Sequence, residues 1–149
     1  MITRAALLEF MRSNRYVVES SVHADGGPQG AMVGVAISDD FEIVFDTLET
    51  SRKAQNLRLN PRIAFVFRGF MPHDERTVQY EGVADEPTEA DRARLVDLYL
   101  SVFPDGRERQ TWAGLIYVRA KPAWLRYSDY DHDPPEIVEF DRAGLIKLK

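Results

Sequence analysis

Thr50-Ser51-Arg52-Lys53 sets hydroxyls and cations side by side between an apolar run, Phe41-Glu42-Ile43-Val44-Phe45-Asp46-Thr47, and a helix-like segment, Ala54-Gln55-Asn56-Leu57-Arg58-Leu59, that ends at Asn60-Pro61. A helix starting here leaves its first backbone N–H groups without intrahelical acceptors and turns its positive dipole end outward. Hydroxyls, free amides and an Arg–Lys pair at one point suit a phosphate. The same residues also suit an ordinary helix start, with Thr50 or Ser51 as N-cap and Arg52 and Lys53 in solvent. Local sequence leaves both readings open.

Other chemistry is thinner. With no cysteine, disulfides, thiolate metal sites and a cysteine nucleophile are excluded. His23, His73 and His132 are scattered through turns, with no i, i+4 pair and no HExxH spacing. Asp129-Tyr130-Asp131-His132-Asp133 reads as a solvated acidic turn, and no metal is expected. There is no GxSxG elbow. Gly26-Gly27-Pro28-Gln29-Gly30 has neither the spacing nor the strand-to-helix setting of a nucleotide loop, and reads as a hairpin turn. Trp112, Trp124, Tyr127 and Tyr130 gather in the last third, where they could stack on a planar ring or simply pack a core or a dimer interface.

Several elements must position these residues. Residues 3–13 read as an amphipathic helix with Ala6, Leu7, Phe10 and Met11 on one face and Thr3 as cap. Strand-like runs follow at 16–22, 29–37 and 42–46, joined by turns short enough for antiparallel hairpins. After the 51–59 helix, residues 62–67 read as a buried strand, 68–75 as a loop carrying Gly69, Pro72 and His73, and 77–84 as an alternating strand. Thr88-Glu89-Ala90-Asp91 looks like a capping box with Asp in the Glu position, opening a helix through Leu95, Leu98, Tyr99 and Val102 that stops at Pro104-Asp105-Gly106. Residues 115–120 and 124–128 read as the last strands, split by Pro122. About six or seven strands with inserted helices predict a β-rich α+β fold, a small antiparallel barrel decorated by helices.

The 149 residues suit one domain spanning 1–149, and 44% hydrophobic with 29% charged residues is ordinary globular composition. A net charge of −5 argues against a general nucleic-acid binder. The first residues lack a signal-peptide core and no stretch reaches membrane-spanning length, so a cytoplasmic protein is expected.

Val44-Phe45-Asp46-Thr47, Ser51-Arg52-Lys53, Asn56-Leu57 and Asn60-Pro61-Arg62, followed by an apolar strand, together resemble the pyridoxamine 5'-phosphate oxidase-like superfamily. The similarity runs on through 77–84 and, in fainter form, Trp112-Ala113-Gly114 and Pro122-Ala123-Trp124. The resemblance implies a split β-barrel and a homodimer with two FMN sites in its interface. Ser51, Arg52 and Lys53 match positions that hold the FMN phosphate, and Thr47 one beside the ribityl chain and isoalloxazine. Thr77 falls where many members carry a polar residue near the flavin, and Trp124 and Tyr127 lie in the strand that reaches the partner's flavin.

This chain also departs from the oxidase. The oxidase has a basic residue at each end of the strand before the 41–47 run, whereas Gly30-Ala31-Met32-Val33-Gly34-Val35-Ala36 has no cation. The oxidase's Arg- and His-rich segment for the substrate phosphate has no match either. The expectation is therefore an FMN-binding oxidoreductase acting on an unidentified small molecule, not on vitamin B6, with no evident catalytic acid or base. The alternatives are a deazaflavin-dependent reductase, favoured by the small residues at 30–36, and a non-enzymatic flavin- or haem-binding dimer or cofactor-free module.

Overall fold

A computed structural model describes residues 1–68 and 71–149, so Gly69 of the expected loop lies outside the described residues. Helix α1 (Arg4–Ser13) is capped by Thr3, whose Oγ1 accepts from the Ala6 N–H at 3.3 Å, and it buries Leu7, Leu8, Phe10 and Met11. Strands β1 (Tyr16–Val22) and β2 (Pro28–Gly34) form an antiparallel hairpin. Its turn uses Gly26 at φ +88°, a left-handed backbone that glycine adopts without a Cβ clash.

The expected 29–37 run breaks at Val35, whose N–H donates to the Arg15 carbonyl. The chain then leaves β1, and the short β3 (Ala36–Ile37) pairs instead with β4 (Ile43–Leu48). Helix α2 (Arg52–Leu59), β5 (Arg62–Phe67) and β6 (Arg76–Asp85) follow, then α3 (Glu89–Val102) and the short α4 (Gly106–Arg109). Strand β7 (Leu115–Asp129), β8 (Glu136–Asp141) and α5 (Arg142–Lys147) complete the described chain.

The sheet order is β2-β1-β5-β6-β7-β4-β3, with β8 also on β7. The fold is α+β, an antiparallel split barrel. Its described residues hold one strand more than the upper expectation, because Glu136–Asp141 forms a strand that was not among the expected ones.

The long β7 corrects the reading of two strands split by Pro122. Its 15 residues are continuous, pairing with β6 through Arg119 to Asp129, with β4 through Leu115 to Ala120 and with β8 through Trp124 to Asp129. Pro122 sits opposite Gly82, where the register slips between Glu81 and Gly82. A bulge tolerates the missing proline N–H and flips the side-chain parity, so Ala120 and Leu125 both reach the core. Gly82 is required there, since a Cβ would lie 2.5 Å from the Lys121 carbonyl oxygen.

The capping box is also corrected. Thr88 makes no side-chain cap bond, and Glu89 has φ +51°. The shorter Asp91 carboxylate is taken up by Arg94 at 3.1 Å and Arg119 at 3.1 Å instead.

The main core fills the barrel with Phe45, Phe65, Phe67, Val78 and Tyr80. A second cluster packs Leu95, Tyr99 and Phe103 of the α3 region on Val44 and Tyr117. Each fully buried side chain of this size contributes about 1.5–3 kcal/mol.

Candidate functional site

The β4-to-α2 junction is built around Ser51. Its backbone is extended (φ −66°, ψ 152°), and its Oγ accepts from the Ala54 N–H at 3.2 Å. Ser51, not Thr50, is thus the N-cap. Thr47 Oγ1 lies 2.9 Å from Ser51 Oγ, which ties the end of β4 to the helix start. The preceding Asp46 accepts from Arg109 Nε at 2.7 Å and from the Tyr99 hydroxyl at 2.9 Å, so α3 and α4 clamp the same strand from behind.

The first turn of α2 contains no acidic residue, and the N–H groups of Arg52 and Lys53 meet no acceptor among the described residues. Both side chains line a cleft of about 200 Å3 together with Glu19 and Ser21 of β1 and Gln29, Gly30 and Ala31 of β2. Arg52 uses only Nε, which donates to Gln29 Oε1 at 3.1 Å, leaving its terminal nitrogens without a partner among the described residues. Asn56, one turn on and buried, donates to Ser21 Oγ at 3.0 Å and Gln29 Oε1 at 2.9 Å. These bonds pin α2 to the β1–β2 hairpin.

Glu19 is the unusual member. It is only 1% exposed, and its Oε1 has no hydrogen-bond partner among the described residues. Burial raises its pKa above the ordinary glutamate value, against the smaller opposing pull of Lys53 and the Ser21 hydroxyl.

Thr47, Ser51, Arg52 and Lys53 therefore converge. Thr77 does not join them: it is half-buried on β6 opposite Ser128. Trp124 is half-buried on β7 between Glu81 and Asp141. Tyr127 turns into the core, packs edge-on against Phe10 and places its hydroxyl 3.3 Å from Asp129, with its pKa pushed up to about 12 by burial and then by Asp129. Trp112 and Tyr130 are exposed, so the last-third aromatics form no single cluster in one chain.

Glu19, Ser21 and Gln29 were missed as site residues. The one partial signal is in β1, where Val17, Glu19 and Ser21 share a face of the strand, without anything local to say which face closes the cleft. Asn56 also follows Arg52 at i+4 on the helix face. The small residues at 30–36 divide in two. Gly30 and Ala31 border the cleft, whereas Gly34 is small because a Cβ there would sit 2.7 Å from the Phe103 ring.

With this geometry in view, comparison with known proteins is decisive for the family. A family model described as pyridoxamine 5'-phosphate oxidase matches residues 3–127. The chain belongs to the pyridoxamine 5'-phosphate oxidase family. Over 125 residues it is 34% identical to a pyridoxine/pyridoxamine 5'-phosphate oxidase of Bordetella pertussis, covering 78% of this chain and 57% of that protein. This member thus spans about half the length of the curated relatives it matches.

Solved structures share its fold at low identity. A haem binding protein from Mycobacterium smegmatis superposes with a TM-score of 0.83 at 12% identity, over 97% of this chain and 60% of the other. A pyridoxamine 5'-phosphate oxidase-related, FMN binding protein from Nostoc punctiforme gives 0.69 at 13% identity, over 92% and 87%. In this family member, no helix among the described residues is long and apolar enough to cross a membrane.

Proposed function

We propose that this chain binds FMN, with the phosphate at the N-terminus of α2, and acts as a flavin-dependent oxidoreductase on a small molecule. The observation that carries this is a cleft lined by Arg52 and Lys53 at the Ser51-capped start of α2, where the first amides meet no acceptor among the described residues. The donor set fits the group: amides, a guanidinium and an ammonium are what a phosphate accepts from. Arg52 and Lys53 neutralise it, the amides orient it, and Thr47 holds the cap in place beside the ribityl chain. FMN supplies the hydride chemistry when bound, while the protein supplies binding, orientation and exclusion of water.

The cleft takes the phosphate and the start of its chain but is small for a fused three-ring flavin, since sites for such ligands span about 300–1,000 Å3. A homodimer would enclose the ring between two copies. Met32, Val18 and Val66 lie in register across β2, β1 and β5, 64%, 39% and 46% exposed, and make an apolar stripe suited to that contact. Gly30 links stripe and cleft, because a Cβ there would touch Val18. In that dimer Trp124 and Thr77 would approach the flavin from their exposed sides, and buried Tyr127 would act only by packing.

A deazaflavin coenzyme is the second reading. It is favoured by Gln29, Gly30 and Ala31, which bring no cation to the cleft, because a phosphodiester needs less neutralising charge than a phosphomonoester. Purified protein titrated with each cofactor by flavin fluorescence tests the assignment. Saturable FMN binding with a solution mass of two chains supports it. Binding of deazaflavin alone moves the assignment to the second reading, and binding of neither overturns both.

A further inference from the structure

Glu19 sits badly in a site meant for a doubly charged phosphate. It lines the same cleft as Arg52 and Lys53, is 1% exposed, and carries a carboxyl oxygen with no partner among the described residues. The charged groups facing it are Lys53 and Arg52, both from α2. Its strand neighbours Ser21 on β1, Gln29, Gly30 and Ala31 on β2, and Phe65 opposite it on β5 are neutral. Two cations against one carboxylate leave the cleft a single net positive charge.

We propose that Glu19 is the specificity-determining residue of this cleft and limits it to one net ligand charge: a phosphodiester binds directly, and a phosphomonoester dianion binds only with a proton taken onto Glu19. This rests on the assignment of a phosphate to the α2 N-terminus. A dianion brought beside an ionised, buried carboxylate meets like-charge repulsion in a medium that screens it little. Protonation removes that repulsion and turns the partnerless oxygen into a hydrogen-bond donor for a phosphate oxygen. The proton comes from solvent, and no other bond is made or broken. Burial of Glu19 already raises its pKa, which works in the direction of uptake.

Calorimetric titration with FMN at pH 7.5, in two buffers of different ionisation enthalpy, counts the protons taken up. A phosphomonoester, with a second pKa near about 6, is mostly dianionic there. Wild-type protein should take up close to one proton per FMN, and its affinity should fall as pH rises above 7.5. Glu19→Gln, which keeps shape and a donor, should take up none and bind FMN roughly tenfold more tightly at pH 8, the worth of about one pKa unit.

The methyl phosphodiester of FMN gives a second measurement on unaltered protein, and should bind without uptake. FMN binding with no uptake by the wild type, or the same uptake by Glu19→Gln, overturns the proposal and leaves the phosphate site standing. Failure of FMN and its diester to bind the wild type overturns the site and this proposal together.

Discussion

Glu19 and Glu42 are both buried acids on strands or strand entrances of one sheet, yet their surroundings are opposite. Glu42 accepts from Arg94 Nη1 at 2.8 Å, Arg119 Nη1 at 3.3 Å and Ser38 Oγ at 3.0 Å. Burial pushes its carboxyl up, but these donors outweigh burial and hold it below the usual range. Around Glu19 burial outweighs Lys53 and Ser21, and an oxygen is left over. Arg119, itself 7% exposed, also holds Asp85 at 2.7 Å and Asp91 at 3.1 Å, closing a network between β4, β6, β7 and α3. A completed ionic network holds the fold. An uncompleted one, set in a cleft, is where the proposed ligand would act.

The contrast can be broken at either end. Arg119→Met should cost the most, about 3 kcal/mol of unfolding free energy, because buried Glu42 loses one of its two guanidinium partners and Asp85 and Asp91 lose their shared one. Denaturant unfolding measures this, and FMN affinity of the folded protein should be unchanged. A combined Arg52→Ala and Lys53→Ala should do the reverse. It should weaken FMN binding about 100-fold, from two lost charge-assisted bonds, with little change in stability. If that double variant unfolds as Arg119→Met does, the cleft is structural and the contrast fails.

Ser51→Ala removes one cap bond and should cost about 1 kcal/mol in thermal unfolding, with a smaller loss of FMN affinity. The smallest effect is on pH dependence. Glu19 has a raised folded-state pKa, so its contribution to stability is fully present below the ordinary glutamate range and is lost as pH rises through the raised value. Glu42 has a lowered one, so its contribution is present above that range and lost as pH falls through the lowered value. Glu19→Gln should therefore stabilise the free protein at neutral pH, and Glu42→Gln should destabilise it there. Unfolding curves from pH 4 to 8 separate the two.

Much of the fold was legible. Apolar runs placed β1 and β5, and alternation placed β6, within a residue or so, while Thr3 and the Thr50-Ser51 pair announced two helix starts through local chemistry. Pro122 misled, because a proline in a strand is compatible with a bulge that only the partner's Gly82 makes possible. Thr88-Glu89-Ala90-Asp91 misled in another way, since an aspartate that could cap a helix was claimed by a distant arginine. The site was legible where it depended on one contiguous junction, Thr47 to Lys53. It was not legible at Glu19, Ser21 and Gln29, because β1 has valines on both faces and only the docking of α2 decides which face closes the cleft. Thr77 and Trp124 lie apart from the cleft in a single chain, so a part in the proposed site would require the proposed dimer.

The most direct test of the phosphate assignment is a crystal structure of the protein with FMN. The account predicts the phosphate at the α2 N-terminus, within hydrogen-bond distance of the free amides and the Arg52 and Lys53 side chains, with the ring between two copies. A phosphate seated elsewhere, with Arg52 and Lys53 left in solvent, would contradict it.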